Sequence, residues 1–303
     1  MLTSPHKLAL IIPTLNRITE LWRLLRSLAN QSRLPEEIII IGEERKEVEE
    51  VAKKFPQLKI KIISLPQESI SKKRNIGIKT VSAEITLIGF LDDDVILTPK
   101  TLERMLAFWE KASSDVGGVG FNFLNPPPLD FSWLKSLPFA FWLGLYSREK
   151  GAVLPSGIQT QIGSVSETTY VRWLPAVAVY PKKIFEENGF DEWFKDFSYL
   201  EDLDFSYRVG KKYKLIVIGE AGFYHYPSPQ GRVDPYLFGK KEVINRLYFV
   251  KKYSELSLLR CYLALFLRTF LSIILGITKR DFNYFKRTGG NLIGLIETIA
   301  EGK

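Results

Sequence analysis

Strands alternating with helices over about the first 120 residues predict an α/β fold, a doubly wound and mostly parallel sheet. Three observations carry that prediction. Apolar runs recur at Leu8–Ile12, Glu37–Ile41 and Ile85–Leu91 without the alternation of a half-exposed strand, as strands covered on both faces require. A helical stripe, Leu21, Leu24, Leu25 and Leu28, stands between the first two runs. The third run, I-T-L-I-G-F-L, stops abruptly at Asp92, Asp93 and Asp94, and open α/β sheets bind their ligands beyond the carboxyl ends of strands.

The elements follow in order. Leu8–Ile12 ends at Pro13-Thr14, and the helix with the leucine stripe comes next. After the second strand comes a charged surface helix over Lys46–Phe55, then Lys59–Ser64, whose Lys/Ile alternation suits an edge strand. Ser71–Thr80 reads as a helix leading into the Ile85 strand. Thr98-Pro99 supplies an N-cap and a first-turn proline for a helix with Leu102, Met105, Leu106 and Trp109 inward. Phe121–Val171 breaks the rhythm with Pro126-Pro127-Pro128, the aromatics Phe131, Trp133, Phe139, Phe141, Trp142 and Tyr146, and Gly/Ser/Thr turns. It is too long for a passive connection and reads as part of a binding cleft, or else as a flap covering the sheet. Trp173–Tyr180 reads as a strand, and Pro181–Asn188 as a short helix closed by Gly189. Ser198 and Glu201 have capping-box spacing and open a helix with Leu200, Leu203 and Tyr207 on one stripe. Asp204 and Arg208 can pair at i,i+4. Leu215–Ile218 is a strand running on to His225.

Composition narrows the chemistry. With one cysteine, Cys261, and two histidines, His6 and His225, the chain has no internal disulfide, no Cys/His zinc pattern and no Cys–His protease pair. A reducing compartment and no signal peptide are expected. The net charge of +8 is unevenly placed: residues 1–205 carry 25 Lys and Arg against 27 Asp and Glu, residues 206–303 carry 17 against 7. The tail is helical in pattern. Leu256–Ile277 is apolar enough to invite a transmembrane reading, but Arg260 and Arg268 argue against a simple span. Ser257, Arg260, Cys261, Ala264, Arg268 and Ser272 share one stripe, and Lys251, Lys252, Lys279, Arg280, Lys286 and Arg287 flank the segment. That pattern suits an in-plane helix on an anionic membrane; a core or dimer helix is the alternative.

Adjacent carboxylates repel and resist desolvation, so three at a sheet's ligand end point to a cation, and oxygen ligands favour Mg²⁺ or Mn²⁺. Alternation along an extended chain puts Asp92 and Asp94 on one side. A solvated acidic turn is the plain alternative.

Five pieces stand in order across about 200 residues: I-I-P-T-L-N-R (11–17), K-R-N-I-G-I (73–78), F-L-D-D-D-V (90–95), G-F-D-E (189–192) and E-D-L-D-F-S-Y-R (201–208). This ordered set resembles family 2 glycosyltransferases of the nucleotide-diphospho-sugar transferase (GT-A) fold. The resemblance implies that Pro13, Thr14 and Asn16 contact the nucleotide base and that Arg74 and Asn75 line its pocket. It implies Asp92 near the ribose with Asp93 beside it, Asp94 on a Mg²⁺ or Mn²⁺ ion gripping the diphosphate, and Asp202 as catalytic base. His225 matches a further metal or phosphate contact, or is a tyrosine-flanked structural residue. Trp173 and Glu201 fall on the acceptor side. The family's acid pair after strand two is replaced by Gly42-Glu43-Glu44, with Glu43 as the substitute.

The expected activity is inverting transfer of a sugar from a nucleotide-diphospho-sugar to a hydroxyl of a glycan or lipid-linked acceptor. Residues 1–235 would form the catalytic domain, with 1–120 for the donor and 121–235 for the acceptor, and residues 236–303 a basic, apolar helical extension. The expected place is the cytoplasmic face of the cell membrane, peripherally bound, with a possible homodimer through the tail helices and no nucleic-acid partner. A Mg-dependent nucleotidyltransferase would want a Gly-rich phosphate loop where this chain has P-T-L-N-R. A non-enzymatic basic-tail binder leaves the acids unexplained.

Overall fold

The computed structural model describes residues 6–15, 17–43, 45–65, 67–128, 138–142, 144, 146–228 and 233–300. Asn16, Glu44, Phe131 and Trp133 lie outside them. The chain divides into two compact units, one of residues 1–127 with 162–231, the other of residues 128–161 with 232–303. Much of the aromatic-rich segment is thus compacted with the tail helices.

The first unit contains β1 (Leu8–Pro13), α1 (Ile18–Ala29), β2 (Glu37–Gly42), α2 (Arg45–Ala52), β3 (Ile60–Ser64), α3 (Ile70–Thr80), β4 (Leu87–Phe90), β5 (Val95–Leu97), α4 (Thr101–Trp109) and β6 (Val116–Phe123). The second unit contributes α5 (Pro138–Trp142); the first resumes with β7 (Thr169–Val171), β8 (Ala178–Pro181), α6 (Ile184–Glu187), α7 (Glu201–Gly210) and β9 (Lys214–His225). Among the described residues these strands form a nine-stranded sheet in the order β3-β2-β1-β4-β8-β6-β9-β5, with β7 beside β9.

One half of the sheet, β3-β2-β1-β4, is wholly parallel. The other is mixed, because β8 runs antiparallel to both β4 and β6. "Mostly parallel" therefore holds only for the first half. The apolar runs are buried on both faces. Leu8, Leu10 and Ile12 join one core cluster, and Ala9 and Ile11 the other. The leucines of α1 and the Leu102–Trp109 stripe of α4 are buried against the first. β3 is an edge, as its alternation predicts.

Three local expectations fail. Residues 173–177 are not strand, so Trp173–Tyr180 shrinks to β8. Helix α4 starts at Thr101, behind a left-handed Lys100 (φ 64°), and Thr98 instead bonds the Thr101 hydroxyl. The capping box does not form. Asp196, Ser198 and Leu200 all have positive φ, the Ser198 hydroxyl donates to the Phe194 carbonyl, and the Glu201 carboxylate turns to Arg74.

Gly77 of α3 sets the distance between that helix and the sheet. A Cβ there would lie 2.6 Å from Ile11 Cγ2 and 3.0 Å from Ile41 Cδ1. Gly77→Val is expected to cost about 1–3 kcal/mol by overpacking, read as a lower urea midpoint. An unchanged midpoint would mean that α3 does not pack here.

The second unit holds α5, α8 (Pro235–Lys251), α9 (Leu258–Lys279) and α10 (Phe282–Ala300). Asp234 caps α8 through Tyr236 N–H, with Pro235 at the first position. Ser257 caps α9.

Candidate functional site

The acids sit where the chain leaves the middle of the sheet. Asp92–Asp94 link β4 at its centre to β5 at its far edge. Residues 93 and 94 form a turn, so strand alternation is lost and each acid takes its own direction. Asp92 receives Arg74 Nη2 at 3.2 Å. Asp93 is buried and accepts from the Thr14 hydroxyl at 2.8 Å and from Arg17 Nη1 at 3.2 Å. Asp94 is buried too; it shares the Arg17 Nη1 at 3.2 Å and meets His225 Nε2 at 3.0 Å. The last contact follows from sheet register, because Val95 of β5 lies opposite His225 of β9.

These contacts set the protonation of the group. Burial pushes Asp93 up to about 6, against the Thr14 hydroxyl and Arg17 that lower it. Burial also raises Asp94, but the bond to His225 and the charges of His225 and Arg17 outweigh it and hold Asp94 below the ordinary carboxylate range. His225 moves the opposite way, since its bond to Asp94 overcomes the cost of burial and raises it.

On the same edge, Thr14 N–H donates to the Ile41 carbonyl at 2.9 Å, which brings the loop after β1 beside the end of β2. Glu43 follows there. It accepts from Gln67 N–H at 3.1 Å and lies 3.8 Å from the buried Lys73 ammonium. Lys73 also reaches the Thr14 carbonyl at 3.5 Å. Pro13 closes β1 at this edge, opposite Ile41.

Arg74 is the centre of the other half of the site. It is 1% exposed, lies over the rings of Phe90 and Phe190, and joins Asp92 to Glu201. Arg74 thereby reaches Glu201 127 residues further along the chain and Asp92 18 residues along. Burial pushes Glu201 up to about 8, with Arg74 pulling the other way. Asp202, in the first turn of α7, accepts from Leu203 N–H at 2.8 Å. Its pKa is raised by desolvation, with Arg74 opposing and the negative charge of Asp92 reinforcing. The strained turn before α7 delivers this pair. Leu200 at φ 76° is a conformation a bulky residue adopts only when its surroundings impose it.

Asn75 stands next to Arg74 on α3. Its amide donates to the Phe190 carbonyl at 2.9 Å and to Glu192 at 2.8 Å, and accepts from Phe190 N–H at 2.8 Å. The side chain thus clasps the G-F-D-E loop. Trp173 is half-buried against the cluster that holds Phe90, Phe190 and Phe205. Arg17 and Lys73 join the acids and Glu43 although their sequence pattern assigned them no role. Both stand inside the quoted motifs, P-T-L-N-R and K-R-N-I-G, and only the distant partners mark them out.

Among the described residues no three His, Cys, Asp or Glu side chains form a closed cage. Asp94 Oδ1 and His225 Nε2 lie 3.0 Å apart and pair with each other; both are atom types that ligate a divalent ion once the shared proton is lost. A cleft of about 350 Å³, lined by His6, Thr86, Trp109 and Lys182 among others, lies at the amino-terminal edge of β4, away from the acids.

Residues 9–166 match the sequence profile described as glycosyl transferase family 2. The chain belongs to this family. The match covers the loop after β1, Arg74 and the three acids, and stops before Asp202 and His225. An uncharacterized glycosyltransferase of Bacillus subtilis, YwdF, is 35% identical over 123 residues, 39% of this chain and 45% of that protein. An uncharacterized glycosyltransferase of Haemophilus influenzae is 30% identical over 132 residues, 40% and 44% of the two. The chain thus spans less than half the length of these curated relatives. Solved structures share the fold. S. aureus TarS residues 1–349 superpose with a TM-score of 0.52 at 14% identity, covering 98% of this chain and 92% of that one. The mannosyltransferase PcManGT from Pyrobaculum calidifontis, in complex with GDP-Man and Mn²⁺, gives 0.56 at 12%, covering 96% and 86%. The family member described here therefore has the GT-A fold.

Proposed function

We propose that this family 2 protein transfers a sugar from a nucleotide-diphospho-sugar to a hydroxyl acceptor, with inversion at the anomeric carbon. The observation that carries the reading is Arg74, which ties the D-D-D turn to the E-D pair at the carboxyl edge of the sheet. A donor at the acids and a base for the acceptor are then neighbours.

Thr14 and Glu43, at the edge beside the acids, contact the nucleotide, and Pro13 shapes the loop. Asn16 shares that role by resemblance and lies outside the described residues. Arg74 holds Asp92 toward the ribose side and keeps Glu201 paired. Asp94 and His225 hold the divalent ion, Mg²⁺ or Mn²⁺. When bound, the ion neutralises the charge that builds on the departing diphosphate. Asp202 takes the proton from the acceptor hydroxyl, and its raised pKa makes it a stronger base than a solvated aspartate. Asp202 acting as the single base supports one in-line displacement and hence inversion. Trp173 and Glu201 border the acceptor. Structures with the same fold have been solved with UDP-GlcNAc, in TarS, and with GDP-Man and Mn²⁺, in PcManGT, which supports a nucleotide-sugar donor without choosing its base. Residues 1–235 serve as the catalytic part and 236–303 as an extension that brings the enzyme to the inner face of a membrane and to a lipid-linked or membrane-proximal glycan. A homodimer through the tail helices is the competing use of that extension.

Asp94→Ala tests the metal-side assignment. Arg17 keeps Asp93 as a partner, so the fold should survive. Transfer and donor hydrolysis in Mn²⁺ are expected to fall at least about 100-fold, with thermal unfolding little changed. Full activity would remove Asp94 from the mechanism.

A further inference from the structure

The helices of the second unit bury polar side chains among apolar ones such as Val243, Leu247, Leu265 and Leu271, and leave other apolar side chains exposed. Glu242 of α8 is 1% exposed and accepts hydrogen bonds from Arg268 of α9 at 2.9 Å, and from Arg287 at 2.8 Å and Asn291 at 3.2 Å, both of α10. Burial alone would raise this carboxyl; the two arginines outweigh it and hold it down to about 2. Asn245, Thr269, Ser272, Thr288 and Thr298 are buried as well. Helices α8 and α10 approach through glycine. A Cβ at Gly290 would lie 1.9 Å from the Tyr236 carbonyl oxygen, and one at Gly294 2.8 Å from that of Lys240. This small-xxx-small spacing, with polar side chains joining helices, is how helices associate where burial of apolar surface drives nothing.

The outward faces are the converse. On α9, Leu259, Leu263, Phe266, Phe270, Ile274 and Ile277 are 38–70% exposed. They lie about 180° around the helix from Cys261, Ala264, Arg268 and Ser272, at about 100° per residue. On α10, Phe282, Leu292, Ile296 and Ile299 are 47–70% exposed, opposite Asn291 and Gly294. Helix α9, with 22 residues, is long and apolar enough to cross a membrane by length and composition.

We propose that the outward faces of α9 and α10 are seated in the hydrocarbon of an anionic bilayer, with the Glu242 cluster as the polar interior of a lipid-facing helix group. The inference deepens the membrane side of the proposed function and rests on the second unit alone. Two observations favour lipid over a second copy of the chain. Exposed apolar side chains run the length of both α9 and α10, whereas a dimer seam needs one apolar strip on an otherwise ordinary helix. The charge is also one-sided. Lys251 and Lys252 are exposed at the end of α8, and Lys279, Arg280 and Lys286 at the α9–α10 turn. Residues 258–300 carry six basic side chains against two acidic ones. Such a rim attracts anionic headgroups and repels its own copy.

The test uses the full chain with vesicles of phosphatidylcholine and phosphatidylglycerol. Phe266→Cys and Ile296→Cys, made separately on a Cys261→Ala background and labelled with an environment-sensitive dye, report the two faces. The expected result is flotation with the vesicles, a blue shift at both positions and quenching by brominated lipid. Phe266→Asp with Ile296→Asp should cut the floated fraction about tenfold and leave hydrolysis of soluble nucleotide sugar unchanged, which separates this claim from the chemistry of the first unit. Protein that stays unfloated, or dyes that shift only with concentration-dependent dimerisation and without lipid, would overturn it.

Discussion

Asp202→Asn is expected to lower kcat about 10²–10⁴-fold and leave donor binding nearly unchanged. The substitution is nearly isosteric, and the Asn carbonyl can still accept from Leu203 N–H, so the first turn of α7 keeps its geometry. What is lost is the ability to take a proton. A base must be deprotonated to act, and desolvation raises the Asp202 pKa, helped by Asp92 and opposed by Arg74. Transfer by the native enzyme should therefore decline as pH falls through a midpoint above the ordinary carboxylate range. In the variant that acid limb should vanish, because no titrating base is left. A stopped assay of kcat against pH for the two proteins checks both statements. An unchanged limb would assign it to another group.

The second large effect is on stability. Arg74→Met leaves Asp92 and Glu201 facing each other without their cation, in a pocket walled by Phe90 and Phe190. Removing one partner of a buried ion pair costs about 3–5 kcal/mol. Asp92 is 40% exposed and can be rehydrated, so the lower figure applies, roughly a 10 °C fall in the Tm of the first unit. The loss should shrink as pH falls, since protonated carboxyls no longer need the guanidinium. Adding Glu201→Gln to Arg74→Met should recover about 1 kcal/mol, as expected for coupled neighbours. Additive losses in that pair of variants would show that Arg74 and Glu201 do not act together.

What was legible in the sequence followed from local pattern. Continuous apolar runs gave β1, β2 and β4, and the helical stripes of α1 and α4 are buried as drawn. The acids fell at a strand's carboxyl end because the apolar run stopped there. What was not legible depends on contacts made far along the chain. Glu201 had a plausible local partner in Ser198, but the strained turn at Ser198–Leu200 sends its carboxylate to Arg74. The bond from Asn75 to the Phe190 carbonyl, 115 residues away, had no signature in the local sequence. Arg17 sat in a quoted motif without a role until Asp93 and Asp94 were placed beside it. Reversal of strand direction at β8 has no signature in an apolar run, since burial on both faces reads alike in either direction. In the tail, the helical wheel drew the Cys261–Ser272 stripe correctly. Burial of Cys261, Ala264 and Ser272, and the bond from Arg268 to Glu242 on α8, show that this stripe turns inward.

The measurement that bears most directly on the account is an anomalous difference map from crystals grown with Mn²⁺ and, in parallel, UDP or GDP. The account predicts a manganese peak within coordinating distance of Asp94 and His225, with the diphosphate against it and Asp202 across the same opening. A peak at the cleft lined by His6 and Lys182, or a diphosphate bound away from the three acids, would contradict it.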